Sequence, residues 1–85
     1  MATYVITHDV DDVEHWANSP VREKFFGPMG ISVRTFRTEG SNAVALVCEI
    51  PDMAAFQAAM QSPEAAAAMK EDGVHPDTLR VFAET

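Results

Sequence analysis

The side chains of this sequence best suited to acid–base or nucleophilic chemistry at neutral pH are three histidines and one cysteine: His8, His15, His75 and Cys48. A neutral imidazole titrates near about pH 6.5 and can take a proton from a phenolic or enolisable substrate. A thiolate can act as a nucleophile when a histidine lies within hydrogen-bond reach of it. Which chemistry is open therefore depends on how the fold brings these four residues together.

The composition limits the classes of function. The 85 residues are 47% hydrophobic and 22% charged, which is the balance of one soluble globular domain spanning residues 1–85. Asp and Glu outnumber Lys and Arg by 13 to 6, and the net charge of −7 of this acidic chain disfavours nucleic acid and membranes as partners. A lone cysteine excludes an internal disulfide, and the start lacks the basic flank of a secretory signal. We therefore expect a cytoplasmic protein.

A weak repeat relates the two halves of the chain. Residues 4–16 align with residues 44–56 without a gap, and each stretch is a β-rich run, an aspartate and an aromatic residue four positions later. A Ser-Pro dipeptide follows in both halves, at Ser19-Pro20 and Ser62-Pro63. The pattern indicates two strand–helix units related by an internal twofold axis. The alternative is that unrelated strand-to-helix junctions share the same capping residues and apolar spacing.

Local signals predict the elements of the first half. Residues 3–10 are rich in β-branched residues and predict a strand. Asp11 and Glu14 form a capping-box variant, so a helix should begin near Asp12. The Ser19-Pro20 dipeptide is a new N-cap and first helical position, which predicts a kinked helix that resumes and continues through Phe26.

The second half repeats this order after a hairpin. Residues 31–38 and 43–50 predict two strands joined by a turn. A second helix should begin after Pro51-Asp52, restart at Ser62-Pro63 and end at Gly73, and residues 79–83 predict the last strand.

The resulting order, β-α-β-β-α-β, predicts an α+β, ferredoxin-like domain. Its four-stranded antiparallel sheet has the spatial order 4-1-3-2 and carries both helices on one face. The repeat axis predicts that Tyr4 pairs with Cys48 and His8 with Val44. His8 and Cys48 would then lie four residues apart along the strands, about 13 Å, which is too far for a nucleophile pair. Cys48 is better explained as a small core residue.

The second face of the sheet has no helix to cover it. Its centre is apolar, and its margins carry both signs of charge. Burying this face against a second copy would contribute roughly 25 cal/mol per Å² of apolar surface, so we predict an isologous homodimer, sheet against sheet. The side chains of this face include Val5, Val47, Phe36, Phe82, Arg34 and Arg80.

In element order and in residues 61–74, the chain resembles the dimeric α+β barrel superfamily, and the resemblance covers nearly its whole length. Members include cofactor-independent monooxygenases of antibiotic pathways, polyketide cyclases, haem-degrading enzymes and muconolactone isomerase-like proteins. The resemblance implies a homodimer with a ligand cleft between the sheet and the helices. The haem degraders need an Asn–Trp–His set that this chain does not reproduce beyond Trp16 and His75, so no haem is expected.

The topology should bring all three imidazoles to one end of the molecule, at the mouth of a pocket under the helices. We predict His8 and His75 as catalytic residues, neither a metal ion nor a cofactor being expected because the usual ligand pairs and phosphate loops are missing. Each residue also has a structural explanation: His8 as a polar edge of the core, His15 as a solvated helix residue, His75 as a loop residue and Trp16 as a core anchor. The predicted ligand pocket consists of Tyr4, His8, Trp16, Phe56 and His75.

Two functions remain open. The first is a small homodimeric enzyme, monooxygenase- or cyclase-like, that acts on an aromatic or enolisable metabolite. The second is a non-catalytic small-molecule-binding or assembly module whose cleft is closed by the Met and Ala side chains of the second helix. A cavity of about 300 Å³ or more near His8 would favour the enzyme, and a filled core would favour the module.

Overall fold

Two long strands rich in β-branched residues form the centre of the sheet in this computed structural model, which describes residues 2–85. The sheet has the order β2-β3-β1-β4 and is antiparallel throughout, so the predicted ferredoxin-like topology is confirmed. Predicted strand boundaries differ from the observed ones by one residue at most. The elements are β1 (Ala2–Asp9), α1 (Val13–Asn18), α2 (Val21–Phe26), a 3₁₀ turn (Gly27–Met29), β2 (Ser32–Arg37), β3 (Ala43–Ile50), α3 (Met53–Met60), α4 (Pro63–Glu71), a second 3₁₀ turn (Pro76–Thr78) and β4 (Arg80–Ala83).

The register between the central strands follows the repeat. Tyr4 pairs with Cys48 and His8 with Val44 along β1 and β3, as predicted. Side chains alternate between the two faces of a strand, so His8 and Cys48 share the helix-covered face but lie at opposite ends of it.

Short polar side chains begin the helices. The Asp12 carboxylate accepts hydrogen bonds from the backbone N–H groups of Glu14 and His15, at 3.0 and 3.2 Å. Asp12 is therefore the cap of α1, and the capping box predicted from Asp11 is wrong by one residue. In the second half Asp52 accepts from Ala55 N–H at 3.1 Å and begins α3 in the same way.

Each Ser-Pro dipeptide divides a predicted helix into two. α1 ends at Asn18 and α2 begins at Val21, because proline cannot continue the backbone ladder of the preceding helix. The helix begins one residue later than predicted, with Pro20 rather than Ser19 in the capping position. Ser62 separates α3 from α4, and its hydroxyl accepts from Ala65 N–H at 3.2 Å.

The core lies between the helices and the inner face of the sheet. The other face has no covering element within residues 2–85, and Phe36 and Phe82 are 48% and 51% exposed there. In that same part of the chain, no helix is long and apolar enough to cross a membrane. The buried apolar side chains are Ile6, Val10, Trp16, Ile31, Val44, Leu46, Cys48, Ile50, Phe56 and Ala65.

Candidate functional site

A small cavity of about 70 Å³ lies between the inner face of the sheet and the helices α2 and α4. Its walls are almost entirely apolar, which excludes a site built for a strongly hydrated ligand. Three polar side chains interrupt these walls: His8 from β1, Arg22 from α2 and Asp72 from the end of α4. The apolar lining consists of Ile6, Trp16, Val21, Phe25, Phe26, Leu46, Met60, Ala65, Ala68, Met69, Val74 and Leu79.

The His8 imidazole is 6% exposed and borders this cavity. Its Nδ1 lies 3.4 Å from the Asp9 carbonyl oxygen, a contact that favours the tautomer with the proton on Nδ1. The Trp16 ring packs edge-to-face against it at 5.7 Å between ring centroids. Burial lowers the pKa of His8, the Asp9 carbonyl opposing this effect, so the imidazole is neutral at pH 7.

The other ring nitrogen of His8, Nε2, makes no hydrogen bond to any residue within 2–85. In the Nδ1–H tautomer this nitrogen carries the free lone pair of the ring. It is therefore an atom of the cavity lining that can accept a proton from a bound molecule.

Arg22 places a cation at the same cavity. Its guanidinium carbon lies 4.4 Å from the centroid of the Trp16 ring, and Nη1 donates to the Trp16 carbonyl oxygen at 3.3 Å. Burial lowers the pKa of Arg22, but an arginine keeps its proton at every physiological pH. Trp16 thus contacts the imidazole and the guanidinium at once.

Asp72 supplies the carboxylate of the cavity and is 5% exposed. Its Oδ1 accepts a short hydrogen bond of 2.5 Å from the hydroxyl of Ser19, which lies between α1 and α2. This contact joins the end of α4 to the break in the first helical segment. Ser19 therefore connects the two helical units over the cavity, a role that its place in the Ser-Pro dipeptide did not indicate.

The structure places the other two histidines at the same end of the molecule but outside the cavity lining. The Nε2 atom of His75 lies 2.5 Å from Asp11 Oδ1, and this carboxylate raises the pKa of His75. The Nε2 atom of His15 lies 2.9 Å from the Glu71 carbonyl oxygen. Backbone pairing explains the position of His75, because its N–H donates to the carbonyl of Asp9 at 2.9 Å.

Two further residues of the predicted pocket belong to the packed core. Tyr4 packs at the edge of the core, and Phe56 is buried, with its ring 6.0 Å from that of Phe26. Of the five predicted pocket residues, the structure thus brings His8 and Trp16 together at the cavity and leaves Tyr4, Phe56 and His75 outside its lining. Burial raises the pKa of the Cys48 thiol to about 11, which fits a core residue rather than a nucleophile.

Arg22 and Asp72 are the polar cavity residues that sequence reasoning missed. Arg22 sits in the charged run Arg22-Glu23-Lys24, which normally indicates a solvated helix face. Helical spacing nevertheless indicated that Arg22 faces inward, because it precedes Phe25 by three residues and lies on the same face of the helix. Nothing comparable marks Asp72, which is buried only because α4 packs near Ser19.

No protein-family model and no curated protein sequence matches this chain. Solved structures do match over its whole length. An antibiotic biosynthesis monooxygenase is similar with a TM-score of 0.62 at 10% identity, covering 97% of that chain. An ethyl tert-butyl ether D (ethd) family protein from Bacillus halodurans is similar with a TM-score of 0.61 at 19% identity, covering 98% of that chain. Rv0793 from Mycobacterium tuberculosis is similar with a TM-score of 0.56 at 12% identity, covering 94% of that chain.

These likenesses establish the fold. The chain has the same ferredoxin-like fold as these solved structures, as its element order predicted. At such low identity the activity of this chain has to be argued from its own cavity.

Proposed function

We propose that this protein is a homodimeric α+β barrel enzyme that acts without a bound cofactor on a small aromatic or enolisable metabolite, with His8 as the general base. One observation carries the proposal: a buried imidazole, neutral at pH 7, borders an otherwise apolar cavity and keeps one ring nitrogen free of hydrogen bonds within residues 2–85. A general base needs both a lone pair and a pKa that leaves it unprotonated at the working pH.

The step at His8 is a proton transfer. The acidic C–H or O–H group of the substrate gives its proton to Nε2, and the substrate anion keeps the electron pair. The name of one similar structure supports an oxygenation of that anion, because that protein is called an antibiotic biosynthesis monooxygenase. In such a reaction O₂ is the oxidant. One oxygen atom replaces two hydrogens on a substrate carbon, and the other leaves as water.

His75 stays a predicted second catalytic residue. Its ring faces Asp11 rather than the cavity lining, so a role would require the ring to leave that carboxylate. A substrate that extends past the mouth of the cavity would then bond the His75 ring through a hydroxyl group in place of Asp11.

The size of the cavity favours the second candidate, a non-catalytic small-molecule-binding or assembly module. A volume of about 70 Å³ lies below the roughly 300 Å³ typical of ligand sites, so a whole aromatic metabolite does not fit without rearrangement. Met60 and Met69 line the cavity, and methionine is the side chain most able to repack. The enzyme proposal therefore requires that these side chains move aside when the ligand enters.

The homodimer is proposed from the uncovered face of the sheet. Phe36 and Phe82 are about half exposed there, and Val5 and Val47 lie between them on the central strands. A second copy would remove this apolar surface from water, and its twofold symmetry would place the same patch on both sides of the interface.

The test begins with a thermal-shift screen of phenolic and keto-acid compounds. A compound that raises the melting temperature is then incubated with the protein in D₂O, and the loss of its acidic C–H signal is followed by NMR. O₂ uptake is measured in parallel. We expect exchange with the wild-type protein and a loss of at least about 100-fold in His8→Ala, the usual range for removal of a general base.

His15→Ala is the matched control, because it removes an exposed imidazole from the same end of the molecule. His15→Ala should exchange the substrate C–H at the wild-type rate. His75→Ala measures the contribution of the second predicted catalytic residue. Melting temperatures of all three variants show whether the fold is retained. Unchanged turnover in both His8→Ala and His75→Ala would exclude these two residues as the bases of the reaction and overturn the proposed mechanism. Ligand binding without exchange in the wild type would establish the binding module.

A further inference from the structure

The Arg22 guanidinium is a half-buried cation without a carboxylate partner within 4.0 Å anywhere in residues 2–85. One of its five N–H donors is used by the Trp16 carbonyl oxygen. The neighbouring charged residues of α2, Glu23 and Lys24, are exposed, so the helix has turned this one charge inward. Buried charges are normally paired or hydrogen-bonded, because burial in an apolar environment disfavours the charged form.

The charges around Arg22 come from three neighbouring elements. Asp72, at the end of α4, lies close enough to favour the guanidinium charge but beyond ion-pair distance, and its Oδ1 is already bonded to Ser19. His8, on β1, is kept neutral by burial. Cys48, on β3, is a neutral thiol because its pKa is raised to about 11. None of these groups saturates the donors of Arg22.

The position of the guanidinium points toward the ligand space. Arg22 borders the 70 Å³ cavity together with His8, and it also borders a larger open groove between α1–α2 and β2. The groove has a volume of about 660 Å³, and Phe26 is the other residue shared by the two spaces. Both side chains also pack against the Trp16 ring, the imidazole at 5.7 Å and the guanidinium at 4.4 Å, so a molecule in contact with His8 lies near Arg22.

We infer that Arg22 binds the oxygen on which the substrate develops negative charge when His8 removes its proton, so that this site selects compounds whose anion is a phenolate or an enolate. The inference rests on the proposed function, with His8 as the base and Arg22 as the group that stabilises the anion. Preorganised donors at the atom where charge develops stabilise a transition state strongly when water is excluded. The guanidinium carries a fixed positive charge and five N–H donors in a rigid plane, and two of these donors can bond one anionic oxygen.

This assignment narrows the substrate class further than a general base does. Proton removal has to leave the charge on an oxygen, which is the acidic atom itself in a phenol and is conjugated to the acidic carbon in a β-dicarbonyl compound. Amines and other cations are disfavoured because they would lie beside the fixed positive charge. The apolar walls accept the ring or alkyl part of the molecule.

The experiment uses 4-nitrophenol, whose phenolate is distinguished from the phenol by its visible absorbance. The probe is titrated with pH in the presence of excess protein, and the ionisation of the bound form is compared with that of the free compound. We expect wild-type protein to bind the phenolate at least about tenfold more tightly than the phenol, which lowers the pKa of the bound probe by about one unit. Arg22→Met keeps the apolar stem and should abolish this shift.

Two further variants make the readout specific. Arg22→Lys keeps the charge but loses the paired donors, so a smaller shift is expected. Arg34→Met removes an exposed arginine from the open sheet face and should leave the shift unchanged. Melting temperatures show whether each variant is folded.

The outcomes separate this inference from the proposed function. A bound probe with an unshifted pKa, a shift that persists in folded Arg22→Met, or no binding to wild-type protein at millimolar concentration would each overturn the role of Arg22. Because His8 can also accept the proton of the probe, the titration is repeated with His8→Ala, in which a shift caused by Arg22 should persist. His8-dependent exchange would remain as a separate test. The role of Arg22 would be established if Arg22→Met loses the pKa shift of the bound probe while Arg34→Met binds the probe as the wild type does.

Discussion

His8 and His75 lie at the same end of β1, and their surroundings shift their pKa values in opposite directions. Burial lowers the pKa of His8, because the low dielectric disfavours the imidazolium. The hydrogen bond that the Asp11 carboxylate accepts from Nε2 raises the pKa of the partly exposed His75. At neutral pH the two side chains therefore differ in their readiness to accept a proton, and His8 is the one suited to act as a base.

The pH dependence of stability tests the burial of His8. The pKa of His8 is lower in the folded state than in the unfolded state. The stability that the neutral imidazole contributes is therefore fully present above the unfolded pKa of about 6.5, and it is lost as the pH falls from there through the folded-state pKa. We expect the free energy of unfolding, measured in urea, to decrease less from about pH 7 to about pH 5 in His8→Gln than in the wild type, by up to about 1 kcal/mol per pH unit. His15→Gln, which removes an exposed imidazole, should follow the wild-type curve. Parallel curves for all three proteins would contradict a buried neutral His8.

The thiol of Cys48 offers a second residue-scale test. It is fully buried, and burial raises its pKa to about 11, so little reactive thiolate exists at pH 8 and none of it is accessible. Labelling with a thiol reagent should therefore be slow in the native protein and at least about 100-fold faster in urea-unfolded chain. Since this is the only cysteine of the sequence, the readout has one source. Equally rapid labelling of the native state would show that β3 is open at this position.

At the scale of elements, most of the fold could be predicted because the chain carries strong local signals. Proline after serine divides both helical segments, and alternating β-branched residues define β1 and β3. The repeat supplied the strand register, since its twofold axis pairs Tyr4 with Cys48. Long-range packing was not predictable in the same way. Arg22 is half-buried and Asp72 is buried because α2 and α4 meet over the sheet, and no local sequence pattern indicates that contact.

Packing also explains a difference at the edge of the sheet. Val81 of β4 lies on the helix-covered face, because it pairs with Ile6, yet it is 43% exposed. Ile6 itself is buried on the neighbouring central strand. The helices thus cover the central strands more completely than this edge. Alternation predicts which face a side chain lies on but not how completely that face is covered.

The end of α4 gives an element-scale prediction. Gly73 has a φ of +70°, and a Cβ added there would lie 3.1 Å from Asp11 Cβ, whereas Gly40, with a φ of +73°, has open space around it. Gly40→Ala should cost about 1–2 kcal/mol for the left-handed backbone alone. Gly73→Ala should cost more, because the new methyl group also displaces the Asp11 side chain from its place against His75. Urea unfolding of the two variants measures the difference, and equal losses would show that the Asp11 contact is unimportant.

At the scale of the whole molecule, the open face of the sheet has a regular arrangement. Strand register places Phe82, Val5, Val47 and Arg34 in one row and Arg80, Thr7, Ala45 and Phe36 in the next. Each row ends in an aromatic residue on one side and an arginine on the other, in opposite directions. The twofold axis of the internal repeat therefore also relates the two rows of side chains on this face.

The charges of this face also suit a second copy of the chain. Two arginines are offset by Asp9 and Glu49, so the face is neutral although the whole chain has a net charge of −7. A neutral face reduces the long-range repulsion between two acidic subunits. An isologous contact can then pair apolar centres while the charged margins remain near solvent.

Substitution of one aromatic residue of this face should separate the subunits. We expect the wild-type protein to have twice the chain mass of 9.3 kDa by light scattering at micromolar concentration. Phe82→Glu would bury a carboxylate in an apolar contact and should weaken dimerisation at least about tenfold, because an unpaired charge in an interface costs more than 1.4 kcal/mol. Ala67→Glu adds the same charge to an exposed position of α4 and should leave the mass unchanged.

If the wild type itself has the mass of one chain, the sheet face is not the dimer interface. Half-exposed Phe36 and Phe82 would then be surface residues of a monomer, and the proposed function would have to operate within a single subunit.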